Sequence, residues 1–401
     1  MDLGQDLDSA LSWLDEAGLR RRGRSIHRET GGIVRVDGRR LVDFSSNDYL
    51  GLAADPRLAR AAGEALAAEG MGAGAARLIS GTHPLHEQLE GELAKLAGTE
   101  AALLFANGYA ANTGAIQALA GRGDVLYSDS LNHASLIDGC RLSRADVRVF
   151  AHRDLEMLEG LLVADRERGG RRWIVVEGVY SMDGDLFPLD RLVELARAHG
   201  ARIYVDEAHA LGVLGRGGRG ARELMGVTGE VDVVMGTLGK AFGGFGAFVG
   251  GSTRLREWLL NRARSFVFST APPPALAAGG LEALQIARTE TERARRLHRN
   301  VARLKSGLRT MGVSLPPEVP GHIAPVPTGV ANEAVRQARA LERRGYLVGC
   351  VRPPSVPDGG SRLRIGVSAA HTDEHVDGLL RALEETRTEL TERATAGEGH
   401  G

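Results

Sequence analysis

The chain has 401 residues, of which 43% are hydrophobic and 25% charged, the composition of a globular protein that can bury a large core. Fifty basic and fifty-one acidic residues nearly cancel, which excludes the overall basic character of a nucleic-acid-binding domain. Two cysteines are too few for a disulfide framework or a zinc cluster, and no apolar run reaches the roughly eighteen residues that a membrane span needs. The first residues do not resemble a signal peptide, so we expect a cytoplasmic protein without a metal centre.

The first 45 residues are predicted to form a separate segment with one helix and a β-hairpin. Apolar residues at helical spacing predict an amphipathic helix over residues 7–23. Two apolar runs, 33–36 and 40–44, are joined by Asp37-Gly38, a dipeptide that favours a tight hairpin turn. Helical periodicity returns at 55–69 and 84–97.

From about residue 100, short apolar runs alternate with helical stretches such as 155–164 and 189–199. Runs rich in β-branched residues are typical of strands that are buried on both faces. The predicted strands lie at 101–105, 125–127, 147–150, 173–176, 202–205, 231–235 and 245–249. The alternation predicts an α/β fold with a mainly parallel, doubly wound sheet, in a large domain over residues 46–285.

The rest of the chain is predicted to form a smaller α+β domain over residues 286–390. A charged helix at 281–311 leads into this domain. Weaker strands are predicted at 322–325, 346–349 and 362–367, and helices at 332–344 and 372–387. Residues 391–401 contain no apolar side chain larger than alanine, so we expect a disordered tail.

Polar residues and glycines follow five of the predicted strands, at the edge where an open parallel sheet binds ligands. In chain order they are Gly108 and Tyr109, then His133, then Ser181, then Asp206 and His209, and finally Thr237 and Lys240. Each has an ordinary structural explanation when taken alone, such as a helix cap for Asp206 or simple exposure for Lys240. Their occurrence together at one edge indicates a ligand site.

Two glycine-rich stretches in this region superficially resemble nucleotide-binding motifs. GTLGK at 236–240 has two residues between its glycines where the P-loop has four, and Ala241 stands where that motif needs a Ser or Thr. GFGAFVG at 244–250 misses the dinucleotide-binding spacing by one residue and opens a predicted strand. Neither nucleotide motif is therefore indicated.

A lysine, a carboxylate, a ring that can stack and a phosphate cradle are the groups that pyridoxal 5′-phosphate requires. The chain has three lysines, and Lys240 is the one at this edge. Asp206 could keep the cofactor's ring nitrogen protonated, and His209 could reach its ring hydroxyl. Gly108 and Tyr109 open a predicted helix whose N-terminus would attract the phosphate, with the Thr237 hydroxyl as a second ligand. We therefore predict pyridoxal 5′-phosphate as the cofactor.

The same stretches resemble those of the α-oxoamine synthases, a family of fold-type I pyridoxal-phosphate enzymes. The resemblance runs from about residue 7 to residue 387. It is carried by SNDYLGL at 46–52, HAS at 133–135, EGVYSMDG at 177–184, DEAH at 206–209 and TLGK at 237–240. VRPPSVP at 351–357, followed by RLRI at 362–365, favours the branch of biotin synthesis. That branch condenses L-alanine with pimeloyl-CoA, or with pimeloyl-acyl carrier protein, to give 8-amino-7-oxononanoate, carbon dioxide and a free thiol.

The resemblance implies roles for individual residues. Lys240 would form the Schiff base with the cofactor and act as acid and base at the substrate Cα. His133 would stack on the cofactor ring and help to position the thioester, while Ser181 and His209 would lie at the ring hydroxyl. Substrate contacts are implied for Asn47 and Arg364, which would hold the amino-acid carboxylate.

Two further implied roles concern the acyl group and a second subunit. Thr270 would reach the phosphate of the neighbouring subunit, which makes the expected enzyme a homodimer with shared active sites. An arginine of the run at 20–22 would contact the acyl substrate, with Ser355 near it. The local match favours Arg20, whereas counting back from Asn47 without a gap favours Arg21. The remaining arginines of the run have an equally good explanation as cations at a helix C-terminus.

Three other interpretations stay open from the sequence. The nearest is another α-oxoamine synthase, acting on glycine with acetyl-CoA, on serine with a long acyl chain, or in secondary metabolism. Next comes a fold-type I aminotransferase or desulfurase, which would transfer amino groups without releasing coenzyme A. The third is a non-catalytic phosphate- or nucleotide-binding module, which would be colourless.

Overall fold

The computed structural model describes residues 2–397. The helices are α1 (Leu3–Glu16), α2 (Pro56–Glu69), α3 (Pro84–Ala97), α4 (Gly108–Leu119), α5 (Ala134–Ser143), α6 (Leu155–Ala164), α7 (Leu189–His199), α8 (Ala221–Leu224), α9 (Thr253–Arg262), α10 (Arg264–Val267), α11 (Pro274–Thr289), α12 (Thr291–Thr310), α13 (Ala331–Arg343) and α14 (Asp373–Gly397). The strands are β1 (Ile26–Arg28), β2 (Ile33–Val36), β3 (Arg39–Phe44), β4 (Ala101–Phe105), β5 (Val125–Asp129), β6 (Asp146–Phe150), β7 (Arg172–Glu177), β8 (Arg202–Asp206), β9 (Val233–Thr237), β10 (Ala247–Gly251), β11 (Ile323–Gly329), β12 (Tyr346–Val351) and β13 (Ser361–Gly366).

The chain divides into two units, which are described separately. The large unit comprises Leu50–Ser181 and Asp185–Ala294, and the small unit comprises Met1–Tyr49, Met182–Gly184 and Arg295–Gly401, as far as these ranges are described. The boundary after Ala294 falls inside α12, nine residues beyond the predicted end of the large domain at 285. None of the described helices combines the length and the apolar character that crossing a bilayer requires.

The large unit is built on a seven-stranded sheet in the order β4-β10-β9-β8-β7-β5-β6. β10 is antiparallel to both of its neighbours, whereas every pair from β9 to β6 is parallel. β5, β9 and β10 are buried along their whole length, as expected for strands that are covered on both faces. The predicted mainly parallel, doubly wound α/β sheet is confirmed, and each predicted strand lies within two residues of its predicted bounds.

The register of this sheet aligns the strand ends that carry the predicted site. Glu177 of β7 pairs with Asp206 of β8, which in turn pairs with Met235 of β9. Phe105 of β4 and Thr237 of β9 both pair with Ala247 of β10. The segments that follow these strands therefore leave the sheet at one edge.

The small unit contains a six-stranded sheet in the order β1-β2-β3-β12-β13-β11. β2 and β3 form the predicted hairpin, and Asp37 and Gly38 have φ angles of 49° and 79°. Two successive left-handed residues are what a two-residue type I′ turn needs. β3 also pairs in parallel with β12, so the prediction of a separate segment at 1–45 is corrected. The N-terminal hairpin supplies backbone hydrogen bonds to the C-terminal sheet and belongs to the small unit.

Three predicted helices have other bounds. α1 ends at Glu16, before Gly18 at φ 67°, so the prediction of a helix to residue 23 is wrong and the arginine run at 20–22 is not at a helix C-terminus. The predicted helix at 281–311 is divided between α11 and α12. α14 continues to Gly397, which corrects the predicted tail at 391–401 as far as the description reaches; residues 398–401 lie outside it. Alanine, glutamate and arginine propagate an existing helix well without an apolar face.

Candidate active site

The loops after β8 and β9 bring a lysine and a histidine into contact. The Nζ atom of Lys240 lies 2.7 Å from Nε2 of His209. His209 is buried, and Lys240 is half-buried. A hydrogen bond between two nitrogens requires one of them to present a lone pair, so the pair is not doubly protonated. The lysine amine is thereby held next to a group that can share its proton.

The carboxylate of Asp206, at the end of β8, is buried and held in a fixed orientation. Its Oδ2 accepts a hydrogen bond from Nδ2 of Asn112 at 2.8 Å, and its Oδ1 accepts one from the backbone N–H of Ala208 at 2.9 Å. Asn112 is itself fully buried and accepts a hydrogen bond from the Tyr204 hydroxyl at 2.8 Å. Sequence analysis missed Asn112 and Tyr204, because nothing in the local sequence distinguishes Asn112 from the other polar residues of α4.

His133 caps the N-terminus of α5 and leaves its ring accessible. Its Nδ1 lies 2.8 Å from the Ser135 hydroxyl, and its backbone N–H donates to Oε1 of Glu177 at 2.6 Å. Partial desolvation and the charge of Lys240 lower the pKa of His133 against the opposing effect of Asp206. The imidazole is therefore neutral at neutral pH, and its exposed ring can stack on a ligand.

Glu177, which sequence analysis did not single out, supports this arrangement from the end of β7. Its side chain is buried, and burial together with the nearby Asp206 charge raises its pKa well above the usual range. The hydrogen bond from His133 opposes that rise. Ser181, four residues further along, is also buried.

The N-terminus of α4 provides the predicted phosphate cradle. α4 begins at Gly108, and the Asn107 side chain caps it by accepting from the N–H of Ala110 at 2.9 Å. The first backbone N–H groups of a helix have no partner within it and attract anions. Tyr109 is exposed, and its hydroxyl donates to Asp138, which raises the tyrosine pKa.

Thr237 and Thr270 are in different surroundings. Thr237 is buried at the end of β9, where its hydroxyl donates to the Gly246 carbonyl at 3.0 Å and accepts from the Gly239 N–H at 3.1 Å. A hydrogen bond from Thr237 to a phosphate would therefore replace its bond to Gly246. Thr270 is exposed and forms an isolated antiparallel bridge with Ala76.

These groups fit pyridoxal 5′-phosphate. Among the described residues, no basic side chain forms an ion pair with the buried carboxylate of Asp206. Its two hydrogen bonds compensate part of the cost of burying this charge, and a positive charge next to it would compensate more. A protonated ring nitrogen supplies that charge, while Lys240, His133 and the N-terminus of α4 match the cofactor's carbonyl carbon, ring face and phosphate.

The small unit contains the predicted carboxylate-binding residues. Arg364 of β13 is buried, and its Nη2 donates to Oδ1 of Asn47 at 3.0 Å and to the Tyr49 hydroxyl at 3.5 Å. The Tyr49 hydroxyl also donates to Oδ1 of Asn47 at 3.1 Å. Burial raises the pKa of Tyr49 against the opposing charge of Arg364. Tyr49 was not predicted as a site residue, although it lies within the SNDYLGL stretch.

The structure distinguishes the two candidate arginines of the run at 20–22. The side chain of Arg20 forms an ion pair with Asp15. Nη2 of Arg21 instead lies 3.3 Å from the Pro353 carbonyl oxygen and 3.5 Å from the Ser355 hydroxyl. Arg21, rather than the predicted Arg20, is thus the neighbour of Ser355.

Comparison with known proteins shows which enzymes the chain is similar to. Residues 39–383 match the family model "Aminotransferase class I and II". The chain is 51% identical over 377 residues to an 8-amino-7-oxononanoate synthase of Anaeromyxobacter dehalogenans, with 94% of each chain covered. It is 48% identical over 385 residues to the enzyme of that name from Alkalilimnicola ehrlichii, with 95% of this chain and 97% of the relative covered.

Two solved structures are also similar to the chain. A serine palmitoyltransferase from S. paucimobilis, solved with a pyridoxal-phosphate adduct, has a TM-score of 0.92 and 30% identity, with 98% of this chain and 100% of that chain covered. An 8-amino-7-oxononanoate synthase from Francisella tularensis has a TM-score of 0.75 and 28% identity, with 88% of this chain and 99% of that chain covered.

Proposed function

The chain belongs to the aminotransferase class I and II family and, within it, to the α-oxoamine synthases, and from this premise we propose how its residues condense L-alanine with a pimeloyl thioester. The predicted family and the dependence on pyridoxal 5′-phosphate are confirmed by these comparisons. The chain is a pyridoxal-phosphate-dependent acyltransferase, and its function is the formation of 8-amino-7-oxononanoate in biotin synthesis. The residue roles and the assembly described below are proposals.

The observation that carries the proposed mechanism is the group formed by Lys240, His209 and Asp206 at the ends of β8 and β9. When bound, the cofactor supplies an electrophilic carbon and a ring that withdraws electrons from the substrate Cα. Lys240 would hold the cofactor until the amino group of alanine displaces it, and the freed neutral amine would then remove the Cα proton of alanine and later return a proton to the product. The contact with His209 orients this amine and offers it a proton acceptor.

The other groups of the large unit keep the cofactor in its reactive protonation state and position. Asp206, oriented by Asn112, stabilises the proton on the ring nitrogen. His133 stacks as a neutral imidazole, so it places no second positive charge against the protonated ring. The N-terminus of α4 binds the phosphate through backbone N–H groups, which we propose for Gly108 and Tyr109.

In the small unit, Arg364 and Asn47 bind the carboxylate of alanine. A guanidinium fork matches a carboxylate in a bidentate geometry, and burial strengthens the attraction because water competes less. We propose that Arg21, with Ser355, contacts the distal end of the acyl group. A pimeloyl group ends in a carboxylate, which an exposed guanidinium can bind.

We further propose a homodimer in which Thr270 reaches the phosphate held by the neighbouring subunit. The exposed position of Thr270 supports this, since a buried hydroxyl could not reach a second chain. Cytoplasmic location follows from the substrates, because an amino acid and an acyl thioester are metabolites of that compartment.

The test measures product formation from different pairs of substrates. The purified holoenzyme receives L-alanine, glycine or L-serine, each with pimeloyl-CoA, acetyl-CoA or a long-chain acyl-CoA, and thiol release and carbon dioxide are measured. We expect thiol and carbon dioxide in equal amounts, most rapidly with L-alanine and pimeloyl-CoA. A preference for glycine with acetyl-CoA, or for serine with the long chain, would move the chain to another branch of the family. Repeating the assay with pimeloyl-acyl carrier protein identifies the preferred carrier.

A further inference from the structure

A half-buried histidine outside the proposed site lies between two buried carboxylates of the large unit. Nδ1 of His152, in the loop between β6 and α6, is 2.9 Å from Oδ1 and 3.1 Å from Oδ2 of Asp129. Its Nε2 is 2.8 Å from Oδ2 of Asp185. Carboxylates only accept hydrogen bonds when ionised, so an imidazole with both nitrogens bound to carboxylates carries a proton on each.

The first carboxylate organises the loop that leads to His133. Asp129 ends β5, and its Oδ1 accepts from the backbone N–H of Leu131 at 2.8 Å, two residues before His133. Its Oδ2 accepts from the backbone N–H of Arg153 at 2.9 Å. The Asn132 backbone N–H also donates to the Asp129 carbonyl at 3.2 Å. We call residues 130–133 the His133 loop.

The second carboxylate belongs to Asp185, whose backbone helps to close the loop that carries Ser181, which we call the Ser181 loop (residues 178–188, between β7 and α7). The Tyr180 backbone N–H donates to the Asp185 carbonyl at 3.0 Å, and Val179 forms an antiparallel bridge with Leu186. The ring of Tyr180 stands edge-on to His152, with centroids 4.4 Å apart. Movement of Asp185 would therefore move the residues on either side of Ser181.

The charges around His152 favour its protonated form. The titratable groups facing the ring are Asp129, Asp185 and Tyr180, and Arg153 pairs with Asp185 at 3.6 Å. Burial lowers the pKa of His152, but hydrogen bonds to the two carboxylates outweigh it and raise the pKa to about 9. Oδ1 of Asp185 is buried and accepts no hydrogen bond from a described residue, so the imidazolium and Arg153 compensate its charge.

We propose that His152 is a positioning residue, whose doubly protonated ring ties the His133 loop to the Ser181 loop and thereby sets where His133 and Ser181 meet the cofactor. This rests on the roles proposed above for those two residues. His152 acts through its two carboxylate partners. A ring held at both nitrogens constrains two loops with one side chain. A neutral amide in its place could not compensate the negative charges of the two carboxylates.

The test compares His152→Gln with His199→Gln. His199 is a part-buried histidine of the same unit, 3.7 Å from the carboxylate of Glu159, and it lies on α7 away from both loops. Hydrogen exchange of the cofactor-free chain measures the loops directly. In His152→Gln we expect exchange about tenfold faster in peptides covering both loops, and no change there in His199→Gln.

Measurements on the cofactor-loaded enzyme provide the second readout. We expect His152→Gln to alter the visible circular dichroism of bound pyridoxal 5′-phosphate and to lower kcat by about ten- to a hundredfold, since small misplacements of contacting groups are costly. Unchanged loop exchange and unchanged dichroism in a folded His152→Gln variant would overturn the proposal, even if kcat fell.

A second variant and a measurement on the wild-type protein complete the test. If His152→Gln does not fold, Asp185→Asn replaces it, because the amide keeps the side-chain shape while weakening one connection. Faster exchange confined to the Ser181 loop supports the proposal, and unchanged exchange there overturns it. A wild-type protein that shows no visible band with pyridoxal 5′-phosphate would contradict the proposed function, whereas the exchange data would still decide the role of His152.

Discussion

The proposed cofactor residues of the large unit and the proposed substrate residues of the small unit differ in how firmly they are held. Asp206 and Asn112 are buried and joined to each other and to Tyr204 by hydrogen bonds. Of the four proposed substrate residues of the small unit, Arg364 is buried and Asn47 is half-buried, whereas Arg21 and Ser355 are exposed. A preorganised buried group acts mainly on the chemical step, while an exposed group acts mainly on binding. Substitutions in the two regions should therefore separate into effects on kcat and effects on KM.

A second contrast concerns one histidine in each unit. His152 of the large unit lies between two carboxylates and has a pKa of about 9. His371 of the small unit is buried against Phe44, its Nε2 lies 3.1 Å from the Asp43 carbonyl, and burial lowers its pKa to about 3. Burial disfavours the charged imidazolium in both cases, and the hydrogen-bond partners decide whether the pKa rises or falls.

The largest effect is expected from Lys240→Ala. Removal of the amine eliminates both the attachment of the cofactor and the base at the substrate Cα, so turnover should fall at least about 10⁴-fold. Steady-state thiol release and the visible spectrum measure this. Lys95→Ala, at an exposed position on α3, is the matched control and should retain full activity. Full turnover in Lys240→Ala would refute the assignment.

The difference between His152 and His371 predicts that their contributions to stability depend on pH in opposite directions. The pKa of His152 in the folded chain is above the value of about 6.5 for an unfolded histidine. Its contribution to the free energy of unfolding is therefore complete below pH 6.5 and is lost as the pH rises through 9. The loss amounts to about 3 kcal/mol. The folded pKa of His371 is lower, so its contribution is present above pH 6.5 and declines as pH falls toward 3, by about 2 kcal/mol at pH 5.

Unfolding midpoints at pH 5, 7 and 9.5 test this. His152→Gln should flatten the alkaline side of the profile, and His371→Gln the acid side. Profiles with the same shape as that of the wild type in both variants would show that neither histidine titrates as described.

Arg364→Lys should affect the binding of the amino acid. Lysine keeps the charge but loses the fork, so KM for L-alanine should rise about ten- to a hundredfold with a smaller change in kcat. Arg344→Lys is the control, since Arg344 is a part-buried arginine of the same unit that pairs with Glu385 and Glu389. A fall in kcat at unchanged KM would contradict a role in carboxylate binding.

The smallest effect should distinguish the two exposed arginines. Because Arg21 neighbours Ser355 and Arg20 is paired with Asp15, Arg21→Gln should raise KM for pimeloyl-CoA about fivefold to tenfold. Arg20→Gln should leave that KM within about twofold. The reverse order would restore the assignment made from the local sequence match.

Local patterns in the sequence determined the fold class, the strands of the large unit, the β2–β3 turn and the chemistry at the strand ends. Buried parallel strands have continuous apolar runs, and Asp37-Gly38 accommodates two left-handed residues, so both features are encoded by neighbouring residues. The parallel sheet then places the strand ends at one edge, which allowed Lys240, Asp206 and His209 to be proposed together.

Contacts between distant residues were decided only by the tertiary structure. Asn112 and Asp206 are 94 positions apart, and Arg21 and Ser355 are 334 apart, so no local pattern could pair them. The parallel pairing of β3 with β12, which joins the N-terminal hairpin to the C-terminal sheet, is of the same kind. His152 lies in a short loop without a recognised motif, and its two carboxylate partners come from the end of β5 and from the loop after β7. Such partners meet only when the folded chain packs their segments together, and shape and charge decide which side chains fit.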